Sequence, residues 1–480
     1  MNLSVHQKKI NSKIYHVSEL LRRELRVSDQ KDLILFLVFL RYLSDLENNR
    51  SPLDFYLPKE SNFWYLYEER FNDGNMYRIQ NAVSILSYEE DISLKNFFES
   101  VGFRFGRSVY NKLQNKILIE IFDIFGSDTF NFFEDGHNSL SLMESTFEYL
   151  LKSFYSKNTG GDAEYDTPSE ISTLLTNILD PKLGDSICDP ACRMGTLLLD
   201  CARYIRSKHV SSYYSLSGQE MNVSTLGLAE MNSFIHREYH IQLEAGDSLN
   251  NPAFVESNGN LKQFDIVLSN PPFSVTRWSN EDNENDIYGR FVRGMPPKSK
   301  GDYAYISHMI KSLNPYTGRM GVIMPHGVLF RGGAEGTIRS QLLKENLLDI
   351  VVGLPDKLLK GTSIPIVMLI FRMDKVDKNV LFVDASREFI SGRNQNKLTS
   401  KDIDKVLKTI NVRANVDKYA HVASFEEIQE NDYNLNIRRY IADYDESDTE
   451  VDISKLCSDR AMFIKELRVL EEEMNNFLSD

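Results

Sequence analysis

Short β-branched runs alternate with helical stretches over roughly residues 186–384, and no other feature constrains the fold of this chain as tightly. The runs occupy 186–188, 216–220, 241–243, 264–269, 321–324, 349–353, 364–371 and 380–383. Strands separated by helices of about 10–15 residues cannot close into hairpins, so they align in parallel and their helices cover both faces. The expectation is an α/β domain with a mostly parallel sheet of seven or eight strands.

The flanks have a different period. Ile14, Val17, Leu20, Leu21 and Leu25 recur at helical spacing, and 32–46 is a second, strongly apolar helix. Amphipathic stretches follow at about 76–89, 107–126 and 141–155. The segment 156–166 is rich in Gly, Asn and Asp and reads as a linker or ordered loop. Beyond about 400 the pattern returns to helices, ending in a charged amphipathic helix over 451–477. Its candidate packing positions are Leu456, Met462, Ile464, Leu467, Leu470, Met474 and Leu478. The expected organisation is a helical N-terminal domain (1–155), an α/β domain (156–400) and a helical C-terminal region (401–480), which suits a chain of 480 residues.

Composition excludes several classes. A formal net charge of -14 is wrong for a protein that coats DNA by electrostatics alone. It leaves room for DNA as a substrate, through a local basic surface or a partner subunit. The longest apolar run, 33–40, is interrupted by Arg41 and is far short of the roughly 20 residues that span a bilayer. With no signal-peptide pattern at the N-terminus, the expectation is a cytoplasmic protein without a membrane partner. Cys188, Cys192, Cys201 and Cys457 include no Cys-x2-Cys pair, so buried free thiols are expected and no metal site.

The most informative segment is Phe264-Asp-Ile-Val-Leu-Ser-Asn-Pro-Pro-Phe273. An apolar strand ends in Asn270-Pro271-Pro272-Phe273, and open α/β sheets place their sites at strand carboxyl ends. Two prolines stop the ladder and hold the backbone extended. The Asn270 side-chain oxygen and the Pro271 carbonyl can accept both N–H bonds of a planar amine, which moves electron density onto its nitrogen. Phe273 offers a flat face for stacking. Upstream, Asp189 ends a strand and can accept from the ammonium of an amino-acid moiety, while Gly195-Thr196 opens a helix and permits close backbone approach. Glu220, at the tip of the next strand, suits the two hydroxyls of a ribose. Asp247, after the third strand, can read an adenine amino group. Each acid alone is more often a solvated turn residue; three at successive strand ends before Asn-Pro-Pro-Phe form a constellation. Thr167-Pro168-Ser169-Glu170 has the pattern of a helix start with Thr at the cap. A plain cap and a cofactor-side role both remain open for it.

Together these segments resemble the modification (M) subunit of type I restriction–modification systems, an adenine-N6 DNA methyltransferase family. The resemblance covers roughly 155–440, with an echo in Leu37-Val-Phe-Leu-Arg-Tyr-Leu-Ser-Asp45. It includes Gly218-Gln-Glu-Met-Asn222, Leu228-Ala-Glu-Met-Asn232 with His236, Gly246-Asp247, Gly301-Asp-Tyr-Ala-Tyr305, Gly321-Val-Ile-Met-Pro-His-Gly-Val-Leu-Phe330 and Asp432-Tyr-Asn-Leu-Asn436. It implies a Rossmann-like class I methyltransferase domain using S-adenosyl-L-methionine. Asn270, Pro271, Pro272 and Phe273 would form the target-adenine motif. Asp189, Glu220 and Asp247 would hold the methionine, ribose and adenine parts of the cofactor, with Thr167, Pro168, Gly195 and Thr196 beside them. Transfer would be direct, onto an adenine flipped out of the duplex, so neither Cys188 nor Cys192 need be a nucleophile. One position departs from the family: Arg193 stands where a Gly is usual, and a side chain there obstructs cofactor approach if φ must be positive.

The resemblance also implies partners: DNA, a specificity (S) subunit that reads the sequence, a second M subunit and, in the restriction form, a motor-nuclease (R) subunit. Arg277, Arg290, Arg293, Lys298 and Lys300 follow the Asn-Pro-Pro-Phe motif and are expected to contact DNA phosphates locally. Two rival readings differ in class. One is a methyltransferase acting on RNA or a protein glutamine, which the matches beyond residue 300 disfavour. The other is a catalytically degenerate scaffold or DNA-clamping subunit, supported by Arg193 and opposed by the intact motif and the three acids.

Overall fold

The computed structural model describes residues 5–48, 57–88, 94–104, 113–133, 139–155, 167–209, 213–279, 285–359, 362–393 and 395–441. The linker reading of 156–166 and the helix reading of 451–477 fall outside the described residues.

The N-terminal part contains α1 (Val5–Leu21), α2 (Val27–Asn48), α3 (Phe63–Glu68), α4 (Asn75–Tyr88), α5 (Lys95–Arg104), α6 (Asn115–Phe125) and α7 (Ser139–Tyr155). Every residue of α2 from Asp32 to Leu46 is buried, as a helix apolar on all sides must be, so α2 is the axis of this domain. Arg41, which interrupts the apolar run, donates to Asp45 at 2.8 Å and stacks over the Trp64 ring at 4.1 Å. Its charge is therefore paired inside the core rather than left bare.

The α/β part begins with α8 (Ser169–Leu179) and continues through β1 (Ser186–Asp189), α9 (Thr196–Lys208), β2 (Ser215–Glu220), α10 (Val223–Ile235), β3 (Gln242–Ala245) and β4 (Ile266–Ser269). Next come α11 (Asp302–Lys311), β5 (Arg319–Pro325), α12 (Gly333–Lys344), β6 (Leu348–Gly353), β7 (Ile366–Arg372) and β8 (Val380–Asp384). The described chain ends through α13 (Ser400–Val412), β9 (Ala420–Ala423) and α14 (Phe425–Glu430). The strands form one sheet in the order β3-β2-β1-β4-β5-β7-β6-β8-β9. β7 runs antiparallel to β5 and β6, and β9 antiparallel to β8; the other pairings are parallel.

Among the described residues the sheet has nine strands, which corrects the expected seven or eight. The extra one, β9, lies within 401–480, where helices alone were expected. Its four residues, Ala-His-Val-Ala, are too few to display a period of two.

One face of the sheet packs against α8, α9 and α13, the other against α11, α12 and α14. α8 lies close over β5 because Gly321 leaves room: a Cβ there would stand 2.4 Å from Leu175. Arg319 holds the other end of α8, donating to the Leu179 carbonyl at 2.6 Å. The chain entering α8, which includes Thr167, is thereby aimed at the carboxyl ends of β1 and β4. These neighbours are also where the strand order reverses, the position at which open α/β sheets leave a crevice. Among the described residues no helix is long and apolar enough to cross a membrane.

Candidate active site

Asp189 ends β1 with its side chain buried. Its Oδ1 accepts from the Ala191 N–H at 3.0 Å and from the Ser269 hydroxyl at 2.7 Å, joining the ends of β1 and β4. Burial pushes its carboxyl up to about 7, against the lowering effect of those two donors and of Arg193. The chain then makes a tight turn. Arg193 has φ of 51° and Gly195 φ of 73°, both left-handed, before α9 starts at Thr196. The departure from the family pattern thus falls on a position that does require positive φ. Arginine adopts it at an expected strain of about 1–2 kcal/mol, and its N–H donates to Glu220 at 3.1 Å.

Glu220, at the end of β2, accepts from Arg193 through one oxygen and from the Asn222 N–H, at 2.9 Å, through the other. Its carboxylate is held in one orientation with lone pairs left over. Asp247, just beyond β3, is fixed by the Leu249 N–H at 2.9 Å and the Asn250 side chain at 2.6 Å. Gly246 comes before it at φ of 139°. The three acids therefore stand at the ends of three adjacent strands, β1, β2 and β3, as the sequence led one to expect.

Asn270 follows β4 and is 2% exposed. Its amide Nδ2 donates to the Thr167 hydroxyl at 3.0 Å, and its Oδ1 is buried with no hydrogen-bond partner among the described residues. An unsatisfied buried carbonyl is costly, about 1–3 kcal/mol, and is a place where a ligand N–H is expected to bind. Thr167 does not cap α8. Pro168 occupies the cap position without a side-chain bond, which removes the plain-cap reading of Thr167-Pro-Ser-Glu. Thr167, Asp189, Cys192, Arg193, Thr196 and Asn270 line a common cleft. Pro271 is buried; Pro272 and Phe273 are partly exposed, with Phe273 resting against the α8 side of the core.

Four groups to which sequence reasoning gave no role complete the arrangement. Ser269 ties β4 to Asp189. Asp302, wholly buried at the start of α11, accepts from the Ser274 N–H at 2.6 Å, where Ser274 turns left-handed with φ of 50°. Arg331 bonds both Asp302 and Glu335, so this buried acid has its counter-ion. Tyr305, one turn along α11, is buried with its phenol pushed up by burial and by the charges of Asp247 and Glu220. Its closeness to the charges of these acids was signalled in sequence only by the Gly301-Asp-Tyr-Ala-Tyr305 match, because spacing alone does not show which strand ends α11 approaches.

The basic loop divides. Arg277 and Lys298 are exposed and joined by an Arg277 N–H to Lys298 carbonyl bond of 3.0 Å, with Lys300 partly exposed beside them. Arg290 corrects the expectation. It is 1% exposed and donates to the Leu249 carbonyl at 2.9 Å, next to the buried His308, so it braces the Asp247 loop and does not reach a phosphate. Arg293 is clasped by Glu345 through bonds of 2.6–3.0 Å, which offsets its charge. Both cations were assigned from the density of positive charge in sequence, where burial and pairing are invisible.

Comparison with known proteins places the chain in a family. The family described as N-6 DNA Methylase matches residues 138–449, and the HsdM N-terminal domain matches residues 10–167. The chain is 28% identical to the type I restriction enzyme MjaVII methylase subunit of Methanocaldococcus jannaschii, over 92% of this chain and 80% of that one. It is 29% identical to the MpnII methylase subunit of Mycoplasma pneumoniae, over 74% of this chain and 66% of that one. The crystal structure of the type I restriction-modification system methyltransferase subunit from Streptococcus thermophilus superposes with a TM-score of 0.78. It has 29% identity and covers 91% of this chain and all of its own. With the family match spanning more than half of the sequence, the chain belongs to the N-6 DNA methylases, as a modification subunit of a type I restriction–modification system.

Proposed function

We propose that this DNA methyltransferase subunit moves a methyl group from S-adenosyl-L-methionine to N6 of an adenine flipped out of duplex DNA. The observation that carries the reading is the Asn270 Oδ1. It is a buried acceptor without a partner among the described residues, on a side chain whose Nδ2 is engaged by the Thr167 hydroxyl. The donor set suits the cofactor: Asp189 for the ammonium, Glu220 for the ribose hydroxyls, Asp247 for the adenine amine, and Gly195 where the backbone must come close. Thr167 and Thr196 line the cleft beside Asp189, and Pro168 follows Thr167 at the start of α8. When bound, S-adenosyl-L-methionine supplies an electrophilic methyl group whose sulfur departs as a neutral thioether.

The residues of the chain do the rest. Asn270 Oδ1 and the Pro271 carbonyl would accept the two N6 hydrogens, which localises on the nitrogen a lone pair otherwise delocalised into the ring and makes N6 nucleophilic. After the new C–N bond forms, N6 is cationic, and one of those two oxygens is positioned to take up the proton before water removes it. Pro272 keeps the carbonyls extended, and Phe273 stacks on the base. Extruding the base costs a few kcal/mol.

Sequence reading is delegated to an S subunit, beside a second M subunit and, in a restricting complex, an R subunit. This fits the net charge of -14, since affinity for phosphate is then shared. The C-terminal segment 451–480 is the proposed S-subunit dock; full co-purification after its deletion would sink that assignment. The central test is titration calorimetry of S-adenosyl-L-methionine into the chain, alone and with its S subunit, followed by detection of N6-methyladenine in duplex DNA. Binding lost in Glu220→Ala and methyl found on DNA adenine are expected. Methyl on RNA or on protein glutamine instead would favour the other substrates, and no binding in either preparation would favour a scaffold.

A further inference from the structure

Leu228-Ala-Glu-Met-Asn232 is not used by any step above, yet it lies where the two domains meet. It sits in α10, whose first turn adjoins Glu220 and whose later turns are buried on the N-terminal domain. Asn232, 8% exposed, donates its Nδ2 to the Met194 carbonyl at 2.8 Å, and Met194 is the residue between the left-handed Arg193 and Gly195. The Met194 side chain packs in the N-terminal core with Leu228, Met231 and Phe234. Glu230, two residues before Asn232, accepts from the Asn96 side chain at 2.6 Å and the Phe97 N–H at 2.9 Å in the first turn of α5. Gly227 lets the two helices touch at the backbone: a Cβ there would stand 2.7 Å from Phe97 Cα.

The turn beside Asp189 is thus strained at Arg193 and supported from behind by a helix that the N-terminal domain holds. Left-handed arginine persists only where its surroundings over-determine it. We propose that Asn232 is a positioning residue for the cofactor turn, and that α5, through Glu230, seats Asn232, so that affinity for S-adenosyl-L-methionine depends on the N-terminal domain. This rests on the reading of that turn as the cofactor site. Neither Asn232 nor Asn96 touches the ligand in this account.

The test uses the full chain with Asn232→Asp, which keeps the shape but replaces the donor with an acceptor, and Asn96→Ala at a partly exposed position in the N-terminal domain. Calorimetry is expected to show affinity about tenfold weaker in Asn232→Asp, the loss of about 1.4 kcal/mol, and a smaller drop in Asn96→Ala. Hydrogen exchange over 191–197 should rise in both variants while β4 and β5 stay protected. In methylation assays KM for the cofactor should rise with kcat within about twofold. Wild-type affinity and exchange in both variants, together with binding lost in Glu220→Ala, would overturn this inference and leave the cofactor site standing. A fall in kcat with unchanged KM would also overturn it, as general damage. No binding by the wild-type chain would remove the cofactor reading and this inference with it.

Discussion

Asn270 is a residue whose chemistry is decided by its neighbour. With Thr167 taking the amide N–H, the side chain cannot rotate its oxygen out of the site without breaking a bond of 3.0 Å. Asn270→Ala is therefore expected to cut methyl transfer by about 100-fold or more, the scale of deleting one preorganised hydrogen bond at a reacting centre, with cofactor affinity within a few-fold. Single-turnover methylation beside calorimetry separates the two. Asp189 supplies a pH dependence. Its carboxyl sits at about 7 in the free protein because it is buried, and only its ionised form pairs with an ammonium. Affinity for S-adenosyl-L-methionine should be full above pH about 7 and fall toward tenfold per unit below it, and Asp189→Asn should abolish the slope. A flat profile between pH 5.5 and 8.5 in the wild type would contradict the assignment. The same raised value makes the neutral form stabilising. That contribution is present at low pH and is lost as pH rises from the ordinary carboxylate range through about 7.

At the scale of elements, the Asn-Pro-Pro-Phe loop is held from both sides: by the approach to α8 through Thr167, and by the start of α11 through Asp302. Arg331 is the shared counter-ion of Asp302 and Glu335, whose side chains are 0% and 3% exposed. Removing it leaves two buried carboxylates uncompensated, so Arg331→Ala should destabilise the α/β domain by about 3–5 kcal/mol. Urea unfolding measures this, and a loss below about 1 kcal/mol would show that solvent reaches the pair. The β1–α9 turn makes the opposite prediction. Arg193→Gly relieves left-handed strain while loosening the unfolded chain, two effects of about 1 kcal/mol and opposite sign. The melting temperature should change by only a few degrees, whereas Arg193→Val, β-branched at φ of 51°, should lower it clearly.

For the whole molecule, the carboxyl ends of the parallel strands define one face, and the exposed part of the basic loop adjoins it. Arg277→Glu with Lys300→Glu, in the assembled complex, should weaken DNA binding evenly across sequences and reduce the salt slope by about one for each phosphate no longer neutralised. Unchanged affinity would assign those phosphates to partner subunits. The N-terminal domain is joined to this face through a shared apolar core: Met194 and four residues of α10 belong to the same cluster as α2. The two domains therefore share a wall, and the cofactor side of the sheet is the part that shares it.

The local sequence determined the parallel α/β architecture, the three strand-end acids and the Asn-Pro-Pro-Phe motif, because period, proline stereochemistry and the placing of an acid just after a strand are properties of short segments. The family resemblance marked Arg193 as anomalous, and the left-handed turn found there is the physical content of that anomaly. The local sequence did not determine β9, whose four residues carry no period. Nor did it reveal that Arg290 is buried, that Arg293 is paired, or that Thr167 faces Asn270 across 103 positions of chain. Those outcomes depend on which surfaces meet after packing. A cation in a basic loop and a cation in a core read alike in one dimension, and a threonine before a proline reads as a helix cap until the sheet places an asparagine beside it.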